Sequence, residues 1–272
     1  VEKSFSKVII VKSKINLGFA GGNNLGFKKS RGEYILLLNN DTIVPPDFLG
    51  KLVDFMEEKK DVGIVQPKIL FHRPNTPLHH KINSVGSFFL STGFLYHLDY
   101  CKSDSQRNGP VEIFSAYGAC FLTRRSLLDE IGLFDDDYFA YGEDTWLGFK
   151  LLLEGKKISA SEKCKIWHDG AKTGSRLQTL NFYTERNRLL NIFIFFKLGT
   201  ILKIFPLLAA DFFIRIFAKF SIRSILCFFY PFLLNTRLKI KGVFIRPENN
   251  FGHGPFDRTV VYCAIFRVSF QK

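Results

Sequence analysis

Three groups of residues in this chain have types and spacing suited to chemistry. Asp41 follows an unbroken apolar run, Tyr34 to Leu38, with Asn39 and Asn40 between. A carboxylate placed just past a buried strand can hold a hard divalent cation whose remaining ligands are waters and phosphate oxygens. The competing reading is an Asx-turn ahead of the next helix. Glu143 and Asp144 open a second acidic site at a helix start. A carboxylate held there by a rigid element can serve as a general base, or can simply complement the helix dipole. His168 follows a short strand and precedes Asp169-Gly170. Its residue type suits a metal ligand, although a lone histidine is more often a satisfied surface or core residue.

These groups need elements to position them. The Tyr34–Leu38 run lacks the alternation of a half-exposed strand and so reads as buried on both faces. Pro45-Pro46 ends it, and a helix follows over about 46–59. With strands at 7–12, 33–38 and 62–66, a Gly/Asn loop at 16–24 and a helix to about Ser30, the order is that of an α/β chain with a parallel sheet. Ligands of such sheets bind beyond the carboxyl ends of the strands, where Asp41 falls. Residues 67–112 read as loops and edge strands. Ala116–Thr123 reads as a strand, Arg125–Ile131 and Asp144–Glu154 as helices, and two short strands follow near Ile158 and Ile166. The loop Asn16 to Gly26 is Gly-rich and opens a helix, so its amides can approach a phosphate. It is neither a Walker loop nor Gly-x-Gly-x-x-Gly.

Composition narrows the partners. The five cysteines are scattered, with no Cys-x-x-Cys pair, which argues against a zinc ribbon or a disulfide scaffold. The formal net charge is +13, and from residue 190 onward twelve Lys+Arg face three Asp+Glu. Residues 189–234 are also dense in Phe, Ile and Leu, too apolar for a solvated nucleic-acid arm. Asp211, Arg215, Lys219 and Arg223 recur at steps of four, a polar stripe on an apolar helix. A basic amphipathic helix lying on an anionic membrane surface explains this best. Packing of its apolar face on the domain is the alternative, and one transmembrane helix a third reading. Residues 239–272 carry turns and a strand-like Thr259–Phe266, without a functional account.

Taken as a set, these segments closely resemble the family 2 inverting glycosyltransferases of the rhamnosyltransferase-like branch. The resemblance rests on Asn16 to Asn24, Gly32-Glu33-Tyr34 through Asn39-Asn40-Asp41-Thr42, Gly118 to Leu122, Arg125 and Ile131 to Asp135. It continues through Tyr141-Gly142-Glu143-Asp144 to His168 and to Tyr183, Arg186 and Asn187. It implies a GT-A fold: a mostly parallel sheet flanked by helices, here expected to lack its first strand, with a basic apolar helical tail. The implied divisions are a partial transferase domain over 1–180, a membrane-associating segment over 181–238 and a C-terminal segment over 239–272.

The resemblance further implies transfer of a sugar, with inversion, from a nucleotide-sugar donor to a glycan or polyprenyl-diphosphate-linked glycan, in cell-surface polysaccharide synthesis. Asp41 and His168 would hold a divalent cation, Mg²⁺ or Mn²⁺. Asp144 would be the catalytic base with Glu143 beside it. Gly21, Gly22, Asn23, Asn39, Asn40 and Arg186 would contact the donor, and Gly118 and Trp146 the acceptor. Trp146 and Lys150 depart from the usual pattern of relatives, which often show Glu-Asp-x-Asp-Leu and an Arg. The expected location is the cytoplasmic side of a membrane, peripheral, with no nucleic-acid partner. The rival reading is an inactive truncated relative that binds a membrane or partner.

Overall fold

Burial on two faces of one sheet explains why the strands are continuously apolar. A computed structural model describes residues 8–104, 109–170 and 177–229. In chain order its elements are α1 (Gly18–Lys29), β1 (Tyr34–Leu38), β2 (Thr42–Ile43), α2 (Phe48–Glu58), β3 (Val62–Phe71) and β4 (Ile82–Ser84). Then come β5 (Ser87–Phe89), β6 (Leu95–His97), β7 (Val111–Ile113), β8 (Cys120–Arg124), α3 (Arg125–Ile131) and a 3-10 turn at Asp136–Tyr138. The order ends with α4 (Glu143–Leu153), β9 (Lys157–His168), α5 (Leu177–Phe195) and α6 (Leu198–Phe229). Ile35 and Leu37 of β1, Phe121 of β8 and Ile64 of β3 join one core with Leu128 of α3 and Leu147 and Leu151 of α4. Tyr34 and Leu36, Cys120 and Leu122, and Val65 point the other way, into a core completed by Leu52, Val53 and Met56 of α2.

The sheet runs β1-β8-β3-β9-β2, with β4 beside β3 and β7 beside β9. This is the α/β sheet flanked by helices that the sequence implies, with one correction to its pairing. Strand β8 lies antiparallel between β1 and β3, and among the described residues only β3–β9 is a parallel pair. β1, β3 and β9 therefore share a direction without all being neighbours. Sequence order had suggested direct neighbours, because the pairing of β8 spans about ninety residues of chain and leaves no local signal.

Other differences have local causes. Residues 8–12 join no strand, and Val8 and Ile9 stay exposed without a described neighbour to bury them. β3 continues through Pro67 because its register with β9 shifts at Pro67/Lys68, where the missing N–H is tolerated. The two short strands expected near Ile158 and Ile166 are one long strand, β9, bulged at the same point. Within the irregular stretch, β5 and β6 pair as a small separate hairpin sheet.

The chain divides into two units between Phe195 and Phe196, so α5 belongs with the sheet. Among its described residues the second unit, by itself, shows the helix α6 with Pro206 inside it. Leu198, Leu202, Phe205, Phe212 and Phe213 on it are exposed. No helix among the described residues is long and apolar enough to cross a membrane. The side chains of Arg215, Lys219 and Arg223 and the whole of 239–272 lie outside the described residues.

Candidate active site

Both acidic groups come to the same edge of the sheet. The chain leaving β1 is fixed by Asn39 N–H donating to Ala119 O at 2.9 Å, just before β8 begins. The Thr42 hydroxyl donates to Asn39 O at 2.6 Å and closes the turn. Strand β2 then pairs with the end of β9, Thr42 opposite His168. As a result Asp41 Oδ1 lies 3.2 Å from His168 Nε2. The Asx-turn alternative is thereby set aside, since the carboxylate faces β9 and not the start of α2. The His168 hydrogen bond, opposed by burial, holds the Asp41 carboxyl below its ordinary range, with help from the Gly170 amide.

The His168 ring is buried between two oxygens: Asp41 Oδ1 at Nε2 and Asn83 Oδ1 at Nδ1, 3.1 Å away. A neutral imidazole has one N–H and can donate to only one of them. The Asn83 carboxamide can meet Nδ1 through its oxygen or, turned over, through its NH2, so both contacts are met by a neutral ring. These residues fit a divalent cation of the kind that keeps waters and takes diphosphate oxygens, since such an ion needs few protein ligands. Among the described residues no group of three or more His, Cys, Asp or Glu is arranged to hold a metal unaided.

Glu143 and Asp144 open α4, as the sequence suggests, and the structure separates their roles. Asp144 Oδ1 accepts from the Thr145 amide at 2.7 Å. Burial raises its carboxyl, and the Thr145 and Gly118 amides and the facing His97 pull it back toward the ionised form. Glu143 is held less well, its own amide and that of Tyr141 pulling it down only in part. It is buried, its Oε2 has no hydrogen-bond partner, and burial and the Asp144 charge push it up to about 8. Titrating as a pair, they lose the Asp144 proton first, because the Asp144 charge raises Glu143 and not the reverse. Asp144 is therefore the carboxylate able to accept a proton.

The raised Glu143 value sets a stability test. Between its ordinary value of 4.5 and about 8, the folded state binds the extra proton, so stability falls as pH rises through that window. The slope is at most about 1.4 kcal/mol per pH unit. Glu143→Gln should flatten this decline in urea unfolding across the window, leaving only what Asp144 contributes. A decline as steep as that of the unaltered protein would show that Glu143 does not hold the proton.

Tyr117 stands between the two acids. Its ring meets His168 edge-on at 5.9 Å and His97 edge-on at 6.2 Å. Burial and the Asp144 charge, with Asp41 contributing less, push its phenol up to about 12, so it stays neutral. Its backbone N–H donates to the buried Gln66 Oε1 at 2.6 Å, which pins it to β3. His97, on the β5–β6 hairpin, is held by Ser87 Oγ at 2.9 Å, and burial lowers its pKa. Sequence reasoning missed Tyr117, His97 and Asn83. Tyr117 directly precedes the Gly118-Ala119 segment and was findable there. His97 and Asn83 lie in the irregular stretch, where nothing local marks them.

The remaining candidates fall into five places. Gly118 is beside the acids, its amide turned to Asp144 and its Cα near Glu143. Asn39 and Asn40 bound the Asp41 turn. Gly21, Gly22 and Asn23 lie within α1, because the helix begins already at Gly18, whose amide is capped by Asn16 Oδ1 at 2.9 Å. The expected Gly-rich loop over 16–24 is thus mostly helix, and buried Asn23 donates back to Phe19 O in its own turn. Trp146 packs on the core beside Tyr138, with the Lys150 ammonium 5.1 Å over its ring. Arg186 donates to Asp137 O at 2.7 Å and to Asn187 Oδ1 at 3.1 Å.

Comparison with known proteins gives a consistent result. Residues 34–240 match the family model described as glycosyl transferase family group 2. An O-antigen biosynthesis protein of Myxococcus xanthus is 29% identical over 154 residues, 54% of this chain and 12% of that protein. A low-salt glycan biosynthesis hexosyltransferase of Haloferax volcanii is 25% identical over 193 residues, 69% of this chain and 61% of that protein. The chain thus spans less than two thirds of either relative. Among solved structures, a crystal structure of GalNAc-T7 with UDP, GalNAc and Mn²⁺ aligns at 15% identity. It covers 59% of this chain and 32% of that one with a TM-score of 0.49.

Proposed function

From a chain that belongs to glycosyl transferase family group 2, we propose inverting transfer of a sugar from a nucleotide-sugar donor to a hydroxyl of a glycan or lipid-linked glycan, in polysaccharide assembly. One observation carries the reading: two acidic centres share the sheet edge around Tyr117, and only one of them holds an available base. The Asp41–His168 pair takes the diphosphate side, and a divalent ion bound there would offset the charge that develops on the leaving diphosphate. Asp144 accepts the proton of the acceptor hydroxyl as that oxygen bonds to the anomeric carbon. The bond from that carbon to the diphosphate oxygen breaks with its electron pair, and attack from the opposite face inverts the centre. Glu143 keeps its proton, so one negative charge and not two faces the incoming hydroxyl. Released nucleoside diphosphate from a panel of nucleotide sugars, with Mg²⁺ or Mn²⁺ and glycan acceptors, tests this. An α-linked donor should give a β-linked product; retention of configuration would overturn the single displacement.

We also propose that the exposed apolar side chains of α6, with the basic excess of the last third, dock the protein peripherally on an anionic membrane. Co-sedimentation with anionic vesicles should exceed that with neutral ones and weaken with salt. Equal binding to both would remove the electrostatic part of the proposal.

A further inference from the structure

The chain entering α4 is held in an unfavourable conformation. Phe139 and Tyr141 have φ of 58° and 69°, and Gly142 has φ of 85°. Non-glycine residues rarely adopt such angles, and they persist only where surrounding contacts impose them. Here the contacts come chiefly from α5. The Asn187 carboxamide, fully buried, donates to Tyr138 O at 2.9 Å, to Ala140 O at 3.0 Å and to Tyr141 O. Arg186 donates to Asn187 Oδ1 at 3.1 Å, which turns the amide nitrogen toward those carbonyls. One turn further along, buried Asn191 accepts from the Tyr138 hydroxyl at 2.7 Å and donates to Gly142 O at 3.2 Å. Tyr183, one turn before Asn187, stacks on Phe139 at 4.9 Å.

Positions 183, 187 and 191 share one face of the helix at the four-residue spacing. Gly142 is required where it stands, since a Cβ there would sit 3.1 Å from Asn187 Cβ in addition to its positive φ. From the far side, Ala20 N–H donates to Phe139 O at 3.0 Å, and a Cβ on Gly18 would overlap that same oxygen at 2.3 Å.

We propose that Asn187, oriented by Arg186 and seconded by Asn191, is a positioning residue that clamps residues 138–142 and so fixes where Asp144 sits. The inference rests on the transferase reading for its kinetic consequence but not for its structural one. A misplacement near 1 Å costs about 100-fold in rate, so Asn187→Ala should lower kcat by about that factor. The KM for the donor, which binds on the Asp41 side, should not change. Amide exchange in 139–146 should quicken while β3 and β9 keep their protection.

Should Asn187→Ala fail to fold, Tyr138→Phe, which removes only the hydroxyl that Asn191 accepts, should show the same split at smaller size. Unchanged exchange in 139–146 would overturn the clamp, and so would quickened exchange across the whole sheet with kcat and donor KM changing together. If the unaltered protein transfers no sugar while exchange still responds locally, the clamp stands and the transferase reading falls.

Discussion

Asp144→Asn is expected to lower kcat by about 100- to 10,000-fold, the range removed with a positioned general base. The substitution is nearly isosteric, and the asparagine oxygen can still accept from the Thr145 amide that Asp144 now holds at 2.7 Å. What is lost is the capacity to take a proton. Donor affinity should therefore survive, and the loss should appear in kcat more than in KM. The neighbouring carboxyl does not substitute. Glu143 is pushed up to about 8 by burial and by the Asp144 charge, and so is already protonated when Asp144 is not. Removing the Asp144 charge relieves part of that pressure, yet burial remains the larger cause. The pH profile adds a second reading. Burial raises the Asp144 carboxyl above 3.8, so activity should rise with pH through that raised value and hold until Glu143 loses its proton at about 8. The rising limb should vanish in the residual activity of Asp144→Asn. Transfer at an undiminished rate would remove Asp144 from the base role outright.

The acids themselves were legible in the sequence for a physical reason. Tyr34–Leu38 had to be buried on both faces, so Asp41 had to emerge at a strand end, and Glu143-Asp144 had to begin a helix whose apolar side faces the core. The pairing of Asp41 with His168 was harder to read, because β2 is two residues long and finds β9 across more than a hundred residues of chain. The Gly-rich segment takes a form that its composition hides. Its glycines suit a phosphate loop, yet they lie in α1, where Gly18 lets the helix approach Phe139 closely. Asn187 was visible as part of a resemblance, without a role. The three carbonyls it meets are presented only by the folded turn.

The second large effect concerns the other acid. In Asp41→Asn the metal-dependent part of nucleoside diphosphate binding should disappear. Calorimetric titration of nucleoside diphosphates with and without Mn²⁺ reads this directly and needs no acceptor or active turnover. Asn keeps the shape and one oxygen, but that oxygen is a neutral donor to a cation and cannot replace a carboxylate. Loss of a group that only supports a metal ligand already costs about 10- to 100-fold in metal affinity, so loss of the charged ligand should cost at least that. His168→Ala should weaken the same enhancement by a smaller factor, since it leaves the Asp41 charge while removing the imidazole 3.2 Å away. Asn83→Leu should do less again: it frees His168 Nδ1, now 3.1 Å from Asn83 Oδ1, and leaves both ligand groups in place. That graded order follows from the geometry. A folded Asp41→Asn whose nucleotide binding still strengthens with Mn²⁺ to the original extent would show that the cation is held elsewhere.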